Sequence, residues 1–508
     1  MTDAITSEPD SRSGTIGLLR NTGWNLTGQI VPLFVAVFTI PGFMRHMGTD
    51  RFGVLTIAWS VLAYFSLFDF GLGRAVTVLA AEKIGANRQS EVAPLAWTAL
   101  AIMAVLGIFA GVLAVAASPL LIHYVFHVPS ELQSESIVAC TLLGLSLPFV
   151  IVTTGLSGIL AGVERFDVLN QLRMPQGTLS FIAPWAVALW YPNLSAVVAA
   201  MVLVRVAFCL IHLFYCVRVI PDLSSHIGVQ KRYVRPLLNF GGWATVSNVV
   251  GPVMIYFDRF LIGAWLSVGA VGYYATPHEA LNRLLVVPIA VSAVLFPAIA
   301  GSWEKDVSLA TKLLARAMDL TTVLLFPVAA FAIMFANEML TLWLGASFAQ
   351  NSFRVLQLLM IGVFVNGFAQ VGFAVVQGAG RADLTAKFHL LELPVYIALL
   401  WYLLSRFGVV GAALAWTLRT LLDMTLLFGA TAYLNHERRQ TVWKKFSEAV
   451  LLGAMLVGCM FIPANEYWRL AALACVASLY LGYGWRVILR GVRPADLAPY
   501  MRMLWAGQ

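Results

Sequence analysis

Within its apolar stretches this chain carries charged side chains, and their spacing limits the chemistry they could do. Glu279 and Arg283 lie four apart on one helix face, as do Arg419 and Asp423, so each pair can neutralise itself locally. Asp258 and Arg259 are adjacent, point in different directions and need partners elsewhere. Arg205 has no acidic residue one turn away, Glu392 and His389 share one stretch, and Asp69 and Arg74 flank the end of another. An ion at the centre of a bilayer helix costs about 2.5–3.5 kcal/mol, so it normally faces a protein interior or water. Either these ions neutralise one another and fix packing, or they line a watery cavity. In a cavity, Arg205, Arg283 and Arg419 would grip an anionic group through the planar guanidinium fork. Asp258, Glu279 and Glu392 would there be candidates to bind a proton or Na⁺ and couple transport to a gradient. Asp69, Arg74 and Arg259 suit a gate or a structural role. The sequence shows no carboxylate pair in an outer loop, no metal-spaced cluster and no Gly-rich nucleotide loop, which argues against an enzyme and a resident cofactor.

The elements that position these residues are helices crossing a membrane. A span needs about 20 apolar residues, and the chain offers about fourteen such stretches. They run over 22–44, 52–72, 93–119, 136–161, 170–191, 196–217, 237–264, 271–300, 320–344, 355–378, 386–405, 409–434, 447–463 and 468–489. Composition agrees: 60% of the 508 residues are hydrophobic and 11% charged, against about 25% charged in soluble domains. The net charge of +8 does not point to nucleic acid, because the basic residues collect in alternate loops. Lys231, Arg232 and Arg235, then Lys305, Lys312 and Arg316, then Arg438, Arg439, Lys444 and Lys445 are such groups. Intervening loops hold only Arg45, Arg51, Arg354, Arg406 and Arg469. Basic loops stay cytoplasmic, so both termini are expected in the cytoplasm, with the basic loops near anionic lipid headgroups. The polar first eighteen residues lack a basic n-region, so the first span is expected to act as an uncleaved insertion signal. Five cysteines, all in apolar spans without metal-ligand spacing, read as small buried hydrophobes.

The chain also repeats itself. Gly23-Trp24 opens the first span and Gly242-Trp243 the seventh, and the same offset maps Val31 onto Val250, Phe38 onto Phe257 and Gly53 onto Gly272. Gly162-Val163-Glu164-Arg165-Phe166-Asp167 precedes span five, and Gly380-Arg381-Ala382-Asp383 precedes span eleven. Each echo is followed by two spans, the second with one mid-span arginine, Arg205 or Arg419. The organisation expected is a tail (1–21), a lobe (22–217), a basic linker (218–236), a second lobe (237–434), an elbow (435–446), two appended spans (447–489) and a tail (490–508). Duplicated bundles of this kind recur in transporters, with the binding site between repeats. Prolines within spans, Pro32 and Pro252 at matching depths among them, suit bent helices.

Gly23-Trp24-Asn25, the run Phe68-Asp69-Phe70-Gly71-Leu72-Gly73-Arg74, Asp258-Arg259, Gly272-Tyr273-Tyr274 and Phe296-Pro297 together resemble a Wzx-type oligosaccharide flippase of the multidrug/oligosaccharidyl-lipid/polysaccharide (MOP) exporter superfamily. The resemblance implies an all-α polytopic membrane protein with two pseudo-symmetric six-helix lobes and two C-terminal helices. It implies translocation of polyprenyl-diphosphate-linked oligosaccharide across the bacterial inner membrane for O-antigen, capsule or exopolysaccharide synthesis, beside a polymerase or export complex. By depth and type, Arg205, Arg283 and Arg419 match the cationic cavity of such proteins. Trp59, Tyr64, Trp185, Tyr256 and Tyr274 are candidate sugar platforms. The proline in Ala275-Thr276-Pro277-His278 departs from the pattern at the start of span eight. Two other readings stand beside it: a small-molecule antiporter of the same superfamily, and a membrane-embedded polymerase or glycosyltransferase.

Overall fold

The computed structural model describes residues 31, 34–57, 59, 71–86, 88–126, 128–225, 228–292, 299, 307–463 and 465–489. Every regular element among them is a helix. The first is α1 (34–57), followed by α2 (Leu72–Gly85), α3 (Val92–Leu120), α4 (Ser130–Gly162), α5 (Phe166–Trp190), α6 (Leu194–Val219), α7 (Lys231–Trp265) and α8 (Val268–Asn282). Then come α9 (Val307–Met334), α10 (Ala336–Leu344), α11 (Ala346–Gly378), α12 (Ala382–Leu434), α13 (Arg439–Cys459) and α14 (Glu466–Leu489). Six described stretches are long and apolar enough to cross a bilayer. The 52-residue one, Asp383–Leu434, is broken into two arms by Gly408. The calls on Asp69, Tyr64, Pro32, Gly23-Trp24-Asn25 and Phe296-Pro297 lie outside the described residues.

The contacts divide the chain into two compact units, Met1–Gly272 and Tyr273–Gln508. In the first, α3 and α4 approach closely at Gly107, Gly111, Gly144 and Pro148: an ideal Cβ on Gly107 would stand 2.5 Å from the Pro148 Cα. Lipid tails are as apolar as leucine, so small residues that let backbones approach do the work of association. The outward stripe of α3, Val105, Ile108, Phe109 and Val112, is exposed, as a lipid-facing helix surface requires. The expected linker is bonded to this unit. Trp97 Nε1 donates to the Leu223 carbonyl (2.9 Å), and the Gln230 N–H donates to Thr98 Oγ1 (3.0 Å). Lys83 pairs with Glu91 at 2.8 Å, and the Tyr233 hydroxyl donates to the same carboxylate (3.1 Å). A further junction forms at Glu135 of α4. Arg51 donates Nε and Nη2 to its carboxylate at 3.1 and 3.2 Å, and the Leu194 N–H at the start of α6 donates to Oε1.

In the second unit α11 is the central helix, buried along most of its length. The two arms of α12 fold back on each other at Gly408 (φ 58, ψ −140), a backbone state that a side chain would strain. Gly411 sits where an ideal Cβ would lie 2.0 Å from the Leu403 carbonyl oxygen, so the arms touch through backbone. The sequence echo at Arg165 and Arg381 becomes a structural one. In both places a residue with positive φ, Glu164 (58°) or Gly380 (75°), ends the preceding helix. The following arginine N–H donates five residues back, Arg165 to Leu160 (2.9 Å) and Arg381 to Val376 (3.1 Å). This 6→1 bond is the Schellman stop. Each arginine is then held by the aspartate two residues on, Arg165–Asp167 and Arg381–Asp383, through two hydrogen bonds.

Candidate functional site

The two helical hairpins that follow these matched turns carry the informative charges, and each is built differently. In the first unit α5 and α6 contain one acidic residue, Asp167, which is engaged by Arg165. Arg205 is half-buried on α6 and makes no ion pair among the described residues. Two turns further, His212 is fully buried on the same face. Its Nδ1 donates to the Phe208 carbonyl (2.7 Å), and its Nε2 has no protein partner. Arg173 of α5 acts on that imidazole through space. The α5–α6 hairpin therefore holds Arg173 and Arg205 without a carboxylate paired to either among the described residues. Arg173 and His212 were not singled out from sequence as site residues. The repeat register held a signal for Arg173: it follows Arg165 by the same interval at which His389 follows Arg381.

In the second unit the charges are compensated. Arg419, on the second arm of α12, places Nη1 3.8 Å from Oε2 of Glu392 on the first arm. The expected pairing of Arg419 with Asp423 along one helix does not form. The hairpin offers Arg419 an acid across the arms, and the guanidinium also lies over the Tyr396 ring (5.8 Å). Glu392 is fully buried, and neither of its carboxylate oxygens has a hydrogen-bond partner. His389, stacked on Phe373 at 6.4 Å, faces Asp423 from the first arm.

The remaining candidates are placed as follows. Glu279 and Arg283 stand 3.9 Å apart with both side chains exposed. Pro277 is accommodated inside α8, which tightens to a 3₁₀ turn at Arg283–Leu285. Asp258 and Arg259 are buried on α7, where Asp258 Oδ1 accepts the Arg259 N–H (2.7 Å) and the guanidinium lies over Tyr256 at 5.0 Å. Arg74 is exposed in the first turn of α2. Of the aromatics, Tyr274 is fully buried and stacked on His278, which removes it as a sugar platform. Trp59 is engaged edge-on by Phe43, Phe52 and Phe181. Trp185 turns its ring toward Gly42, with a buried Nε1 that has no protein partner. This arrangement sets Arg173 and Arg205 without acidic partners on one hairpin and Arg419 beside the buried Glu392 on the other. It contains no nucleophile–base constellation among the described residues.

Known proteins place this architecture. The fold is that of the inward-closed lipid II flippase MurJ (TM-score 0.70, 13% identity, 94% of this chain and 100% of that one). It is also that of an inward-facing multidrug-resistance MATE transporter of the MOP superfamily (TM-score 0.67, 14% identity, 82% and 99%). A Shigella flexneri protein named for O-antigen transport is 30% identical over 413 residues, 81% of this chain and 97% of that protein. The flippase-named AglR of Haloferax volcanii is 22% identical over 423 residues, 80% and 79%. Residues 44–353 match the family described as polysaccharide biosynthesis protein, and the chain belongs to that family.

Proposed function

We propose that this protein is a flippase that moves lipid-linked oligosaccharide repeat units across the membrane for cell-surface polysaccharide synthesis. The observation that carries the reading is the α5–α6 hairpin, where Arg173 and Arg205 have no ion partner among the described residues and the one carboxylate, Asp167, is engaged by Arg165. A diphosphate is the anion such a site suits, because guanidinium forks match phosphate oxygens and their attraction grows in a low-dielectric setting. The lipid carrier fits best as a polyprenyl diphosphate, the location as the bacterial inner membrane with both termini cytoplasmic, and the neighbours as a polymerase or export complex. Family membership and the Shigella relative support the substrate class. Transport by alternating access, with a proton or Na⁺ as the driving ion, completes the reading. Among the three arginines first matched to substrate, Arg419 is engaged by Glu392 and Arg283 stands near Glu279, so Arg205 is the main anion contact.

The test is reconstitution into liposomes with a fluorescent polyprenyl-diphosphate oligosaccharide. Losing one charge-assisted contact costs about 1.5–3 kcal/mol, so Arg205→Ala and Arg173→Ala should each slow flipping about tenfold or more while the protein still inserts. Wild-type rates in both variants would remove the anion site. Export of a cationic dye without any lipid-linked sugar movement would favour the small-molecule antiporter.

A further inference from the structure

Helix α8 carries an ion pair at a depth and on a face where lipid would not tolerate it. Glu279 lies eleven residues past Val268. That is about 16 Å into the helix at about 1.5 Å per residue, roughly half the depth of a hydrocarbon core about 30 Å thick. The turns before it are enclosed: Val271, Tyr274, Ala275 and His278 are fully buried. Arg283 Nη2 then stands 3.9 Å from Glu279 Oε2, with the two side chains 53% and 43% exposed. Val286, three residues on, is exposed along the same face. A carboxylate and a guanidinium open to the surroundings at this depth are costly against lipid, so this face of α8 meets water.

The pair sits on a rigid mount. Pro277 has no N–H to return to the Tyr273 carbonyl, and Ser352 Oγ of α11 donates to that carbonyl instead (2.5 Å). His278 is stacked on Tyr274 (5.4 Å) and meets Trp416 edge to face (5.0 Å). Asn282 Nδ2 lies 3.2 Å from His278 Nε2, and the helix tightens to its 3₁₀ turn at Arg283. Fixed packing of this kind preorganises the two charged groups. Their charges cancel, which narrows what they can bind. A diphosphate meets repulsion from Glu279 beside the attraction of Arg283, and a cation meets the reverse. A hydroxyl suits both, since it donates to the carboxylate and accepts from the guanidinium. We propose, resting on the transport reading above, that Glu279 and Arg283 form a sugar-reading contact. It binds hydroxyl groups of the lipid-linked oligosaccharide and disfavours a repeat unit that carries a carboxylate there. This role separates Arg283 from Arg205, the diphosphate contact.

Two measurements test the contact. Without any substrate, Glu279→Cys and Val286→Cys should each react with a charged, water-soluble methanethiosulfonate above the wild-type background. No reaction at either position would place this face in lipid and overturn the proposal. In liposomes, the protein is given two fluorescent polyprenyl-diphosphate oligosaccharides that differ only in one neutral sugar against the corresponding uronic acid, and the ratio of their flipping rates is read. Two unit charges about 4 Å apart change an equilibrium about fivefold even at the dielectric constant of water. Glu279→Gln should therefore shift the ratio toward the acidic substrate by about fivefold or more, and Arg283→Gln should shift it the other way. A rate ratio is indifferent to how much of a variant folds, and opposite shifts do not arise from misfolding. Arg205→Ala should slow both substrates alike. A ratio that neither α8 variant shifts, with wild type still flipping, would sink the sugar contact and leave the flippase reading intact. Movement of neither substrate by wild type would remove the flippase reading, and the contact with it.

Discussion

Replacing Glu135 should cost more than replacing its ion partner Arg51, and the difference can be worked from contacts. Glu135 carries two loads. Its carboxylate takes the Arg51 fork at 3.1 and 3.2 Å, and it also accepts the Leu194 N–H, one of the orphan donors at the start of α6. Its side chain is 9% exposed, whereas that of Arg51 is 33% exposed. Truncating Arg51 removes the fork but leaves the carboxylate against the positive end of a helix, so about 1–2 kcal/mol is expected after the exposed arginine's solvent screening is counted. Glu135→Ala removes the fork and the helix-start acceptor together, so about 2–4 kcal/mol is expected. The double variant should fall short of the sum by about 1–2 kcal/mol, as contacting residues do. SDS titration in mixed micelles, followed by tryptophan fluorescence, measures all three. Equal single costs, or additivity within about 0.5 kcal/mol, would refute the claim that one carboxylate serves both partners. The outcome bears on function because Arg205 lies on the same helix, about 16 Å from Leu194 at about 1.5 Å per residue.

Glu164→Gly should stabilise the first unit by about 1 kcal/mol in the same titration, since Glu164 occupies the left-handed stop position that Gly380 fills in the other repeat; a loss of stability would contradict the matched turns. The Arg165 and Arg381 hydrogen bonds hold Asp167 and Asp383 below the usual carboxylate range. A depressed carboxylate contributes stability above its unfolded value of about 3.9 and loses it as pH falls toward the folded value. Asp383→Asn should therefore lower thermal stability at neutral pH and flatten the acid limb, the gap to wild type closing as pH falls, and an unaltered acid limb would show that the contact is idle.

How much of this could be read from the chain depends on distance along it. The helical, membrane-spanning character was legible because burying backbone in lipid demands long apolar helices, and hydropathy records that residue by residue. The turns at Arg165 and Arg381 were legible as an echo because both partners of each clamp lie two residues apart. A four-residue rule predicted Arg419 with Asp423, and that rule sees only one helix. Glu392 lies on the opposite arm, and its approach to Arg419 was decided by where Gly408 breaks α12 and by the backbone contact at Gly411. Likewise the sequence offered Tyr274 as a ring for sugar, and only packing against His278 showed it to be buried core. Composition and local spacing thus determined that charges lie within membrane helices. Which of them are compensated, Arg419 by Glu392, and which are not, Arg205, was decided by the register between helix arms, since Coulomb attraction follows distance in space and sequence spacing fixes that distance only within a single helix.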